Sequence, residues 1–266
     1  MRFTGKTLCF VTGASSGFGQ AISQLIVKQD CLLKNVKHGS HIVLLSRNIK
    51  GMEETKTLME LHGFALDRFT ISTLSIDLED SVQTETKLAG FIKTLSDNFD
   101  EMIIFNNAGS TADFSTKILD YQYGISEFEK YFNLNVVCSI YLLATLLHRY
   151  SHCNSIVVQT SSLCAVQYMP YMPLYCTAKS TMDMYMKCLT LDHPTVKTLN
   201  YAPGPLDTKM GLDMKNKNGS AEVRNSFIKM FETRTIIMPL DSASKLMKLL
   251  ENMDFESGSH IDYYDI

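Results

Sequence analysis

Short apolar segments alternate with longer amphipathic segments from one end of this 266-residue chain to the other. The short segments are rich in Val, Ile, Leu and Phe and carry few charges, which is typical of strands covered on both faces. Alternation of this kind predicts a parallel sheet with right-handed crossovers and helices on both faces. Seven strands are predicted, at Thr7–Val11, His41–Ser46, Arg68–Ile76, Glu101–Phe105, Ser155–Thr160, Thr195–Tyr201 and His260–Tyr264.

Segments with helical periodicity separate these strands, and no internal repeat, low-complexity tract or Pro/Gly/Ser-rich linker divides the chain. We therefore expect one α/β domain over residues 1–266. The segment 205–239 interrupts the alternation because it is polar at first and helical only afterwards, and an insertion at this place predicts a lid over a ligand site. The predicted helices are Gly17–Lys28, Gly51–His62, Ser81–Leu95, Ser126–Tyr150, Tyr175–Leu191 and Asp241–Asn252.

Composition narrows the class of protein. The net charge of −3 and the isoelectric point of about 6.2 argue against a protein that binds nucleic acid through phosphate contacts. The most apolar window, Val136–Leu147, is shorter than a membrane span of roughly 20 residues, and Leu8–Val11 is too short for the apolar part of a signal peptide. Because no two cysteines form a C-x-x-C pair and the histidines lack metal-ligand spacing, we expect a cytoplasmic protein without disulfides or metal; the cysteines are at 9, 31, 138, 153, 164, 176 and 188.

Two glycine-containing turns follow predicted strands. Thr12–Gly19, with the sequence TGASSGFG, joins the first strand to the first helix. Glycines there let the backbone approach a pyrophosphate at the helix N-terminus, and the position in the first βα unit favours a dinucleotide site over an ordinary turn. The second turn, Asn106–Gly109, follows the fourth strand and by itself predicts only a turn.

A third motif carries groups suited to proton transfer. Ser161 and Ser162 end the fifth strand, and Tyr175 and Lys179 share one face of the next helix because they are four residues apart. An ammonium beside a phenol favours the phenolate, so we expect Lys179 to lower the Tyr175 pKa and to make the phenol a usable proton donor. Taken alone, the pair is more typical of a tyrosine at a helix start beside a solvated lysine.

The chain resembles the short-chain dehydrogenase/reductase family over essentially its whole length. The resemblance depends on motifs that occur together and in order: the glycine turn, Asn106–Gly109, Ser162 thirteen residues before Tyr175, Lys179, and Pro203-Gly204 after the sixth strand. The resemblance implies a Rossmann-type, doubly wound parallel sheet of about seven strands in a single domain. It also implies an oxidoreductase that uses a nicotinamide cofactor and forms a dimer or tetramer, and we expect a homodimer.

The resemblance also implies roles for the catalytic residues. Tyr175 would donate the proton to the carbonyl being reduced, Lys179 would hold the nicotinamide ribose, and Ser162 would hydrogen-bond the developing alkoxide. Asn135 resembles the family's fourth member, which orders a water against the lysine, and its neighbour Asn133 competes for this assignment.

The second strand indicates which cofactor is used. An acid at its end is typical of NAD enzymes, whereas here Arg47 offers a guanidinium suited to a 2′-phosphate, so we expect NADP(H). One departure is Ser16, where many NADP-using relatives carry a basic residue in the glycine turn. The cofactor-binding residues implied are Gly13, Ala14, Ser15, Ser16, Gly17, Phe18, Gly19, Arg47, Asn48, Asp77 (the adenine contact), Leu78, Asn107, Lys179, Leu206, Asp207, Thr208 and Met210.

Several stretches are similar to the pterin-reducing members of the family, namely Thr12–Gly19, Ser161–Ala165, Asn200–Thr208 and Ser257–Asp265. The resemblance implies that Asp262 anchors a pterin, whose 2-amino group and ring N–H form a donor pair that a carboxylate accepts. We expect Asp265 to be solvated only. Ser162, Leu163, Tyr175, Gly204 and Asp262 are the substrate-binding residues implied.

The resulting hypothesis is an NADPH-dependent reductase of pterin side-chain ketones in tetrahydrobiopterin synthesis. One alternative is a reductase of small dicarbonyls or other ketones with the same fold. A second alternative, from another class, is a cofactor-binding regulatory protein without turnover, against which the Ser162, Tyr175 and Lys179 set argues.

Overall fold

A parallel sheet of seven strands forms the centre of the molecule, in the order β3-β2-β1-β4-β5-β6-β7. The computed structural model describes residues 3–28, 32–62 and 66–266. The order runs in opposite directions on the two sides of β1, so the switch point of a doubly wound sheet lies between β1 and β4, where such folds bind ligands. The strands are β1 (Thr7–Thr12), β2 (Ser40–Ser46), β3 (Phe69–Ser75), β4 (Glu101–Asn106), β5 (Asn154–Thr160), β6 (Val196–Ala202) and β7 (His260–Asp262).

Helices cover both faces of the sheet, as predicted. Alternate residues of each strand point to opposite faces, so Cys9 and Val11 pack with α1 and α9, whereas Leu8 and Phe10 pack with α3, α5 and α6. The predicted α/β, doubly wound architecture is therefore confirmed. The helices are α1 (Gly17–Leu25), α2 (Ile49–His62), α3 (Ser81–Ile92), α4 (Ile125–Phe132), α5 (Cys138–Arg149), α6 (Pro173–Asp192), α7 (Lys209–Lys217), α8 (Ala221–Glu232) and α9 (Pro239–Asn252).

The segment 205–239 is helical earlier than predicted. Its polar first half forms α7, because Thr208 Oγ1 accepts the backbone N–H of Gly211 and so caps the helix. Lys217 pairs with Asp213 at 2.6 Å in the last turn, where a cation is favourable. The sequence indicates a polar first part with a helix only afterwards, whereas the structure has a helix in both parts, α7 and α8.

The predicted helix Ser126–Tyr150 is continuous but irregular. A π-helical turn at Asn133–Val137 separates α4 from α5. The whole helix, Ile125–Arg149, has a mean hydropathy of 1.4 in its most apolar window and is long and apolar enough to cross a membrane by length and composition. It extends well beyond the window Val136–Leu147 on which the sequence prediction relied. Core helices of soluble proteins pass the same test, and residues such as Leu143 and Leu146 are fully buried in the sheet-facing cluster, so the feature is weak evidence for a span.

The cysteines that the structure describes are all free. Cys9, Cys138, Cys153 and Cys164 are buried among apolar side chains, Cys176 is half-buried and Cys188 is exposed. Cys31 lies outside the described residues.

Candidate active site

A cavity of about 1380 Å³ opens at the carboxyl ends of the strands, over the switch point between β1 and β4. Because parallel strands present their carboxyl ends at one edge, the loops after β1 to β7 meet there. Most of the predicted site residues line this cavity, namely Gly13, Ser15, Ser16, Gly17, Phe18, Arg47, Asp77, Leu78, Asn107, Ser162, Leu163, Tyr175, Lys179, Gly204, Leu206, Asp207, Thr208, Met210 and Asp262.

Four predicted site residues are not part of this lining. Ala14 is buried in the core, and Gly19 packs against the turn itself. Asn48 is exposed, and its Oδ1 accepts the backbone N–H of Gly51 at 3.1 Å at the start of α2. Asn135 is buried and is described below.

The glycine turn and the end of β4 pack closely enough to exclude a side chain. A Cβ added to Gly19 would lie 2.4 Å from the Gly13 carbonyl oxygen and 2.6 Å from Asn107 Nδ2. Thr12 Oγ1 accepts the backbone N–H groups of Asn107 and Ala108, each at 2.9 Å, which ties the second turn to β1. The Ser16 side chain does not cap α1, so the N–H groups of the first helical turn face the cavity without a side-chain acceptor. This is a cradle for an anionic group.

Tyr175 lies in the first turn of α6, with its ring buried against Phe114, Cys164, Met172 and Met214. Burial raises its pKa above the ordinary value, and a hydrogen bond with Ser162 lowers it by less. The Tyr175 pKa is therefore raised overall, and not lowered as expected, because burial disfavours the phenolate more than the favourable contacts stabilise it. The phenol is protonated at neutral pH, which is the form needed to donate a proton.

Lys179 lies one turn further along α6, with Nζ 5.6 Å from the centroid of the Tyr175 ring. Its ammonium donates to the Thr160 carbonyl oxygen at 2.6 Å. Burial lowers the Lys179 pKa to about 8, against the charge of Asp183, which raises it. The ammonium is consequently close to its titration point near neutral pH.

The two asparagines of the π turn are in different places. Asn135 Oδ1 accepts the backbone N–H of Ser110 at 2.9 Å. A Cβ on Gly109 would lie 2.9 Å from that oxygen and 3.9 Å from Lys179 Nζ, so Asn135 and the lysine approach the same point. Asn133 instead donates to the Glu79 carbonyl oxygen at 3.1 Å. Of the two, Asn135 is the one whose described contacts approach Lys179.

Arg47 is already paired with acids at the cavity edge. Its Nη1 donates to Glu79 Oε1 at 2.7 Å and to Asp77 Oδ1 at 3.5 Å, and these partners raise the Arg47 pKa, chiefly through the Glu79 hydrogen bond. Glu79 is not among the site residues predicted from the sequence. The signal that could have found it is the sheet order, because β3 pairs with β2 and places the residues after each strand side by side.

Asp262 ends β7 at the other side of the cavity, and its Oδ1 accepts the backbone N–H of Tyr264 at 3.1 Å. A carboxylate has lone pairs for several donors, so this contact leaves capacity for a ligand. Asp265 also has a role beyond solvation, since its Oδ2 accepts the Asp262 N–H at 2.9 Å and completes a capping box. The predicted strand His260–Tyr264 is shortened for this reason.

Gly204, after β6, fits between the segment 205–239 and the end of the chain after β7. Its φ of +75° favours glycine, and a Cβ there would lie 2.6 Å from Ile237 Cδ1. The two ends of the segment meet beside it, where the Asp207 N–H donates to the Ile237 carbonyl oxygen at 2.8 Å. Side chains of α7 and α8 form the outer wall of the cavity, including Met210, Met214, Val223, Phe227 and Met230.

Comparisons with known proteins show which proteins the chain resembles in sequence and in fold. The sequence profile of the family described as short chain dehydrogenase matches residues 7–219. Sepiapterin reductase from Bos taurus is 30% identical over 269 residues, which cover 98% of this chain and 96% of the bovine one. Two solved structures share the fold at low identity. They are L-sorbose reductase from Gluconobacter frateurii complexed with NADPH and L-sorbose (TM-score 0.75, 20% identity, 98% and 96% covered) and an NAD⁺-bound xylitol dehydrogenase (TM-score 0.76, 18% identity, 97% and 98% covered).

Proposed function

The chain belongs to the short-chain dehydrogenase family, and we propose that it is an NADPH-dependent reductase of pterin side-chain ketones. Members of this family bind a nicotinamide cofactor, and the chain is an oxidoreductase that acts on CH–OH or C=O groups. The proposed reactions are those of tetrahydrobiopterin synthesis, in which sepiapterin becomes dihydrobiopterin and 6-pyruvoyl-tetrahydropterin becomes tetrahydrobiopterin.

One observation supports this proposal above the others. Asp262 lines the same cavity as Ser162 and Tyr175. A flat molecule with a donor pair at one end and a ketone at the other fits this arrangement, because the carboxylate accepts the pair and the hydroxyls meet the ketone oxygen. The similarity to sepiapterin reductases over nearly the full chain is consistent with it.

The residues present fit an NADP(H) cofactor. The closely packed glycine turn and the uncapped first turn of α1 would hold the pyrophosphate, and Arg47 would meet the 2′-phosphate. Lys179 and Asn107 would lie along the nicotinamide riboside, and Leu206, Asp207, Thr208 and Met210 would close over it. When bound, the nicotinamide supplies the hydride to the carbonyl carbon.

The chain's own groups then handle the proton and the oxygen. Tyr175 transfers its phenolic proton to the ketone oxygen as the carbonyl carbon becomes tetrahedral, so the product is an alcohol. Ser162 hydrogen-bonds the same oxygen while negative charge develops on it. Lys179 stabilises the phenolate left on Tyr175, and Asn135 holds the backbone beside Lys179 through Ser110.

Residues 205–239 act as the lid in this proposal. Their two ends are joined near Gly204 by the hydrogen bond from the Asp207 N–H to the Ile237 carbonyl oxygen. Their apolar side chains line the cavity and shield the reacting atoms from water. We further propose that the chain works in the cytoplasm as a homodimer.

The test is NADPH oxidation with sepiapterin, followed by absorbance, for the wild type and for Tyr175→Phe. We expect wild-type turnover and its loss in the variant, by at least about 100-fold, because the proton donor is removed. Tyr185→Phe makes the same chemical change on the same helix, away from the cavity lining, and should keep full activity.

Other outcomes would contradict the proposal in distinguishable ways. Reduction of small diketones without reduction of sepiapterin would move the substrate to another carbonyl. Binding of NADPH without turnover of any carbonyl would indicate a regulatory protein.

A further inference from the structure

A buried polar cluster lies directly behind the catalytic groups. Asp183, one turn beyond Lys179 on α6, is 5% exposed. Its Oδ1 accepts the Ser161 hydroxyl at 2.6 Å, and its Oδ2 accepts Nδ1–H of His260 at 2.6 Å. A buried carboxylate is costly unless it is fully hydrogen-bonded, and these two short contacts satisfy both oxygens.

The three residues of this cluster come from three elements of the site. Ser161 follows β5 and precedes Ser162, His260 begins β7, and Asp262 ends the same strand two residues later. His260 Nε2 is buried and finds no hydrogen-bond partner among the described residues, so the ring is held through Nδ1, which lies 2.6 Å from Asp183 Oδ2 and 3.4 Å from Ser161 Oγ. The carboxylate therefore connects the oxyanion side of the site to the strand that carries the proposed pterin anchor.

The same carboxylate lies one helical turn after Lys179 on α6, so the two buried side chains share a face of that helix. Lys179 faces Tyr175 from its own helix, the Thr160 carbonyl oxygen from β5, and Cys164 from the following turn. The charge of Asp183 favours the ammonium form, against burial, which disfavours it. The thiol of Cys164 contributes in the same direction, but only as a thiolate, and burial raises the pKa of that thiol.

We infer that Asp183 is a positioning residue with two functions, one for each neighbour: its charge keeps Lys179 cationic, and its hydrogen bond to His260 fixes β7 and thereby Asp262. The second function rests on the proposed pterin specificity, whereas the first does not. Ser161 completes the cluster and holds the chain on which Ser162 is presented.

The first function is tested with Asp183→Asn, which keeps the size of the side chain and removes the charge. Lys179 is cationic below its pKa. Removing the negative charge of Asp183 lowers that pKa, so Lys179 loses its positive charge at a lower pH. We expect the alkaline limb of kcat/KM, for sepiapterin and for a small diketone, to shift down by about one pH unit. The dissociation constant of NADPH, measured by nucleotide fluorescence, should begin to rise at correspondingly lower pH. Asp192→Asn, an exposed change at the end of the same helix, should leave both profiles in place.

The second function is tested with His260→Leu and His260→Gln. Leucine removes the donor to Asp183, and we expect about a tenfold higher KM for sepiapterin, with kcat and the KM for the diketone much less affected. Glutamine keeps a donor and should restore most of the loss. A merely structural role would reduce kcat for both substrates together.

The outcomes separate this inference from the proposed function. If the wild type does not reduce sepiapterin, the proposed function fails, while the NADPH-binding profile still tests the effect of Asp183 on Lys179. Unchanged profiles in a folded Asp183→Asn variant would overturn that effect. If the Asp183→Asn variant does not fold, Ser161→Ala is used instead, because it removes the hydrogen bond from Ser161 to Asp183 and keeps the charge of Asp183. The alkaline limb should then stay in place, and a shift would overturn the effect of the Asp183 charge on Lys179. An equal rise of KM for both substrates in His260→Leu would overturn the second function.

Discussion

Replacing Arg47 by alanine tests how strongly the chain selects its cofactor. A hydrogen bond between a guanidinium and a phosphate contributes about 1.5–3 kcal/mol. Arg47 is 60% exposed on its side chain and already bonded to Glu79, and giving up such a surface pair costs about 0–1 kcal/mol. The difference leaves roughly 1–2 kcal/mol for the 2′-phosphate, so kcat/KM for NADPH should fall about 5- to 30-fold while that for NADH stays nearly constant.

The structure also gives the opposite perturbation. Glu79 competes with the phosphate for Arg47 and repels it, so Glu79→Gln should raise kcat/KM for NADPH about 2- to 5-fold, an effect of less than 1 kcal/mol. In the double variant Arg47→Ala/Glu79→Gln most of this gain should disappear, because the two side chains act through one contact.

The assay is the initial rate of NADPH or NADH oxidation at a fixed carbonyl concentration, with the cofactor varied. Lys50→Ala removes an exposed cation from the start of α2, outside the cavity lining, and serves as the control. Equal losses with both cofactors in Arg47→Ala would refute the reasoning, as would a Glu79→Gln variant that gains no more with NADPH than with NADH.

Two further changes test the substrate end and the cofactor turn. Asp262→Ala should raise the KM for sepiapterin at least about tenfold and spare small diketones, because only the pterin presents a donor pair to the carboxylate; equal effects on both would count against anchoring. Gly19→Ala should abolish NADPH binding and lower the Tm by several degrees, since its Cβ meets a backbone oxygen at 2.4 Å. In Gly90→Ala on α3, by contrast, the added Cβ meets nothing within 4 Å. This substitution should stabilise the fold by about 0.5–1 kcal/mol, because alanine favours a helix more than glycine does. Thermal unfolding of both variants shows whether the loss in Gly19→Ala comes from the clash or from any replacement of glycine by alanine.

Local periodicity was sufficient to predict the framework. Each predicted strand is found within two residues of its expected bounds, because buried parallel strands are short, apolar runs that turn residues interrupt. Errors arose where a single side chain decides the boundary, as with the caps made by Thr208 and Asp262. The π turn also escaped prediction, since one extra residue in a helical turn leaves almost no trace in the apolar pattern.

The sequence predicted which residues belong to the candidate site better than it predicted their pKa values. The motifs predicted Ser162, Tyr175 and Lys179, and the fold brings them to one cavity. The direction of the Tyr175 pKa shift was not predictable, because it depends on the balance between burial and charge, which only three-dimensional packing determines. Glu79 and the role of His260 were missed for a related reason. Strand order and long-range pairing bring these side chains to Arg47 and Asp183, and the stretch Ser257–Asp265 implied a role only for Asp262.

The π turn at Asn133–Val137 makes chain length a constraint at this point of the molecule. Deleting one residue there would allow a regular α-helix, which is locally the better-bonded structure. The deletion would leave α5 in nearly the same rotation relative to α4, because a π turn takes up one extra residue within a single turn, so Leu142 and Leu146 would still face the sheet. The wider turn that carries Asn135, whose Oδ1 accepts the backbone N–H of Ser110, would be lost. The extra residue therefore matters for the position of Asn135 beside the site rather than for the packing of α5.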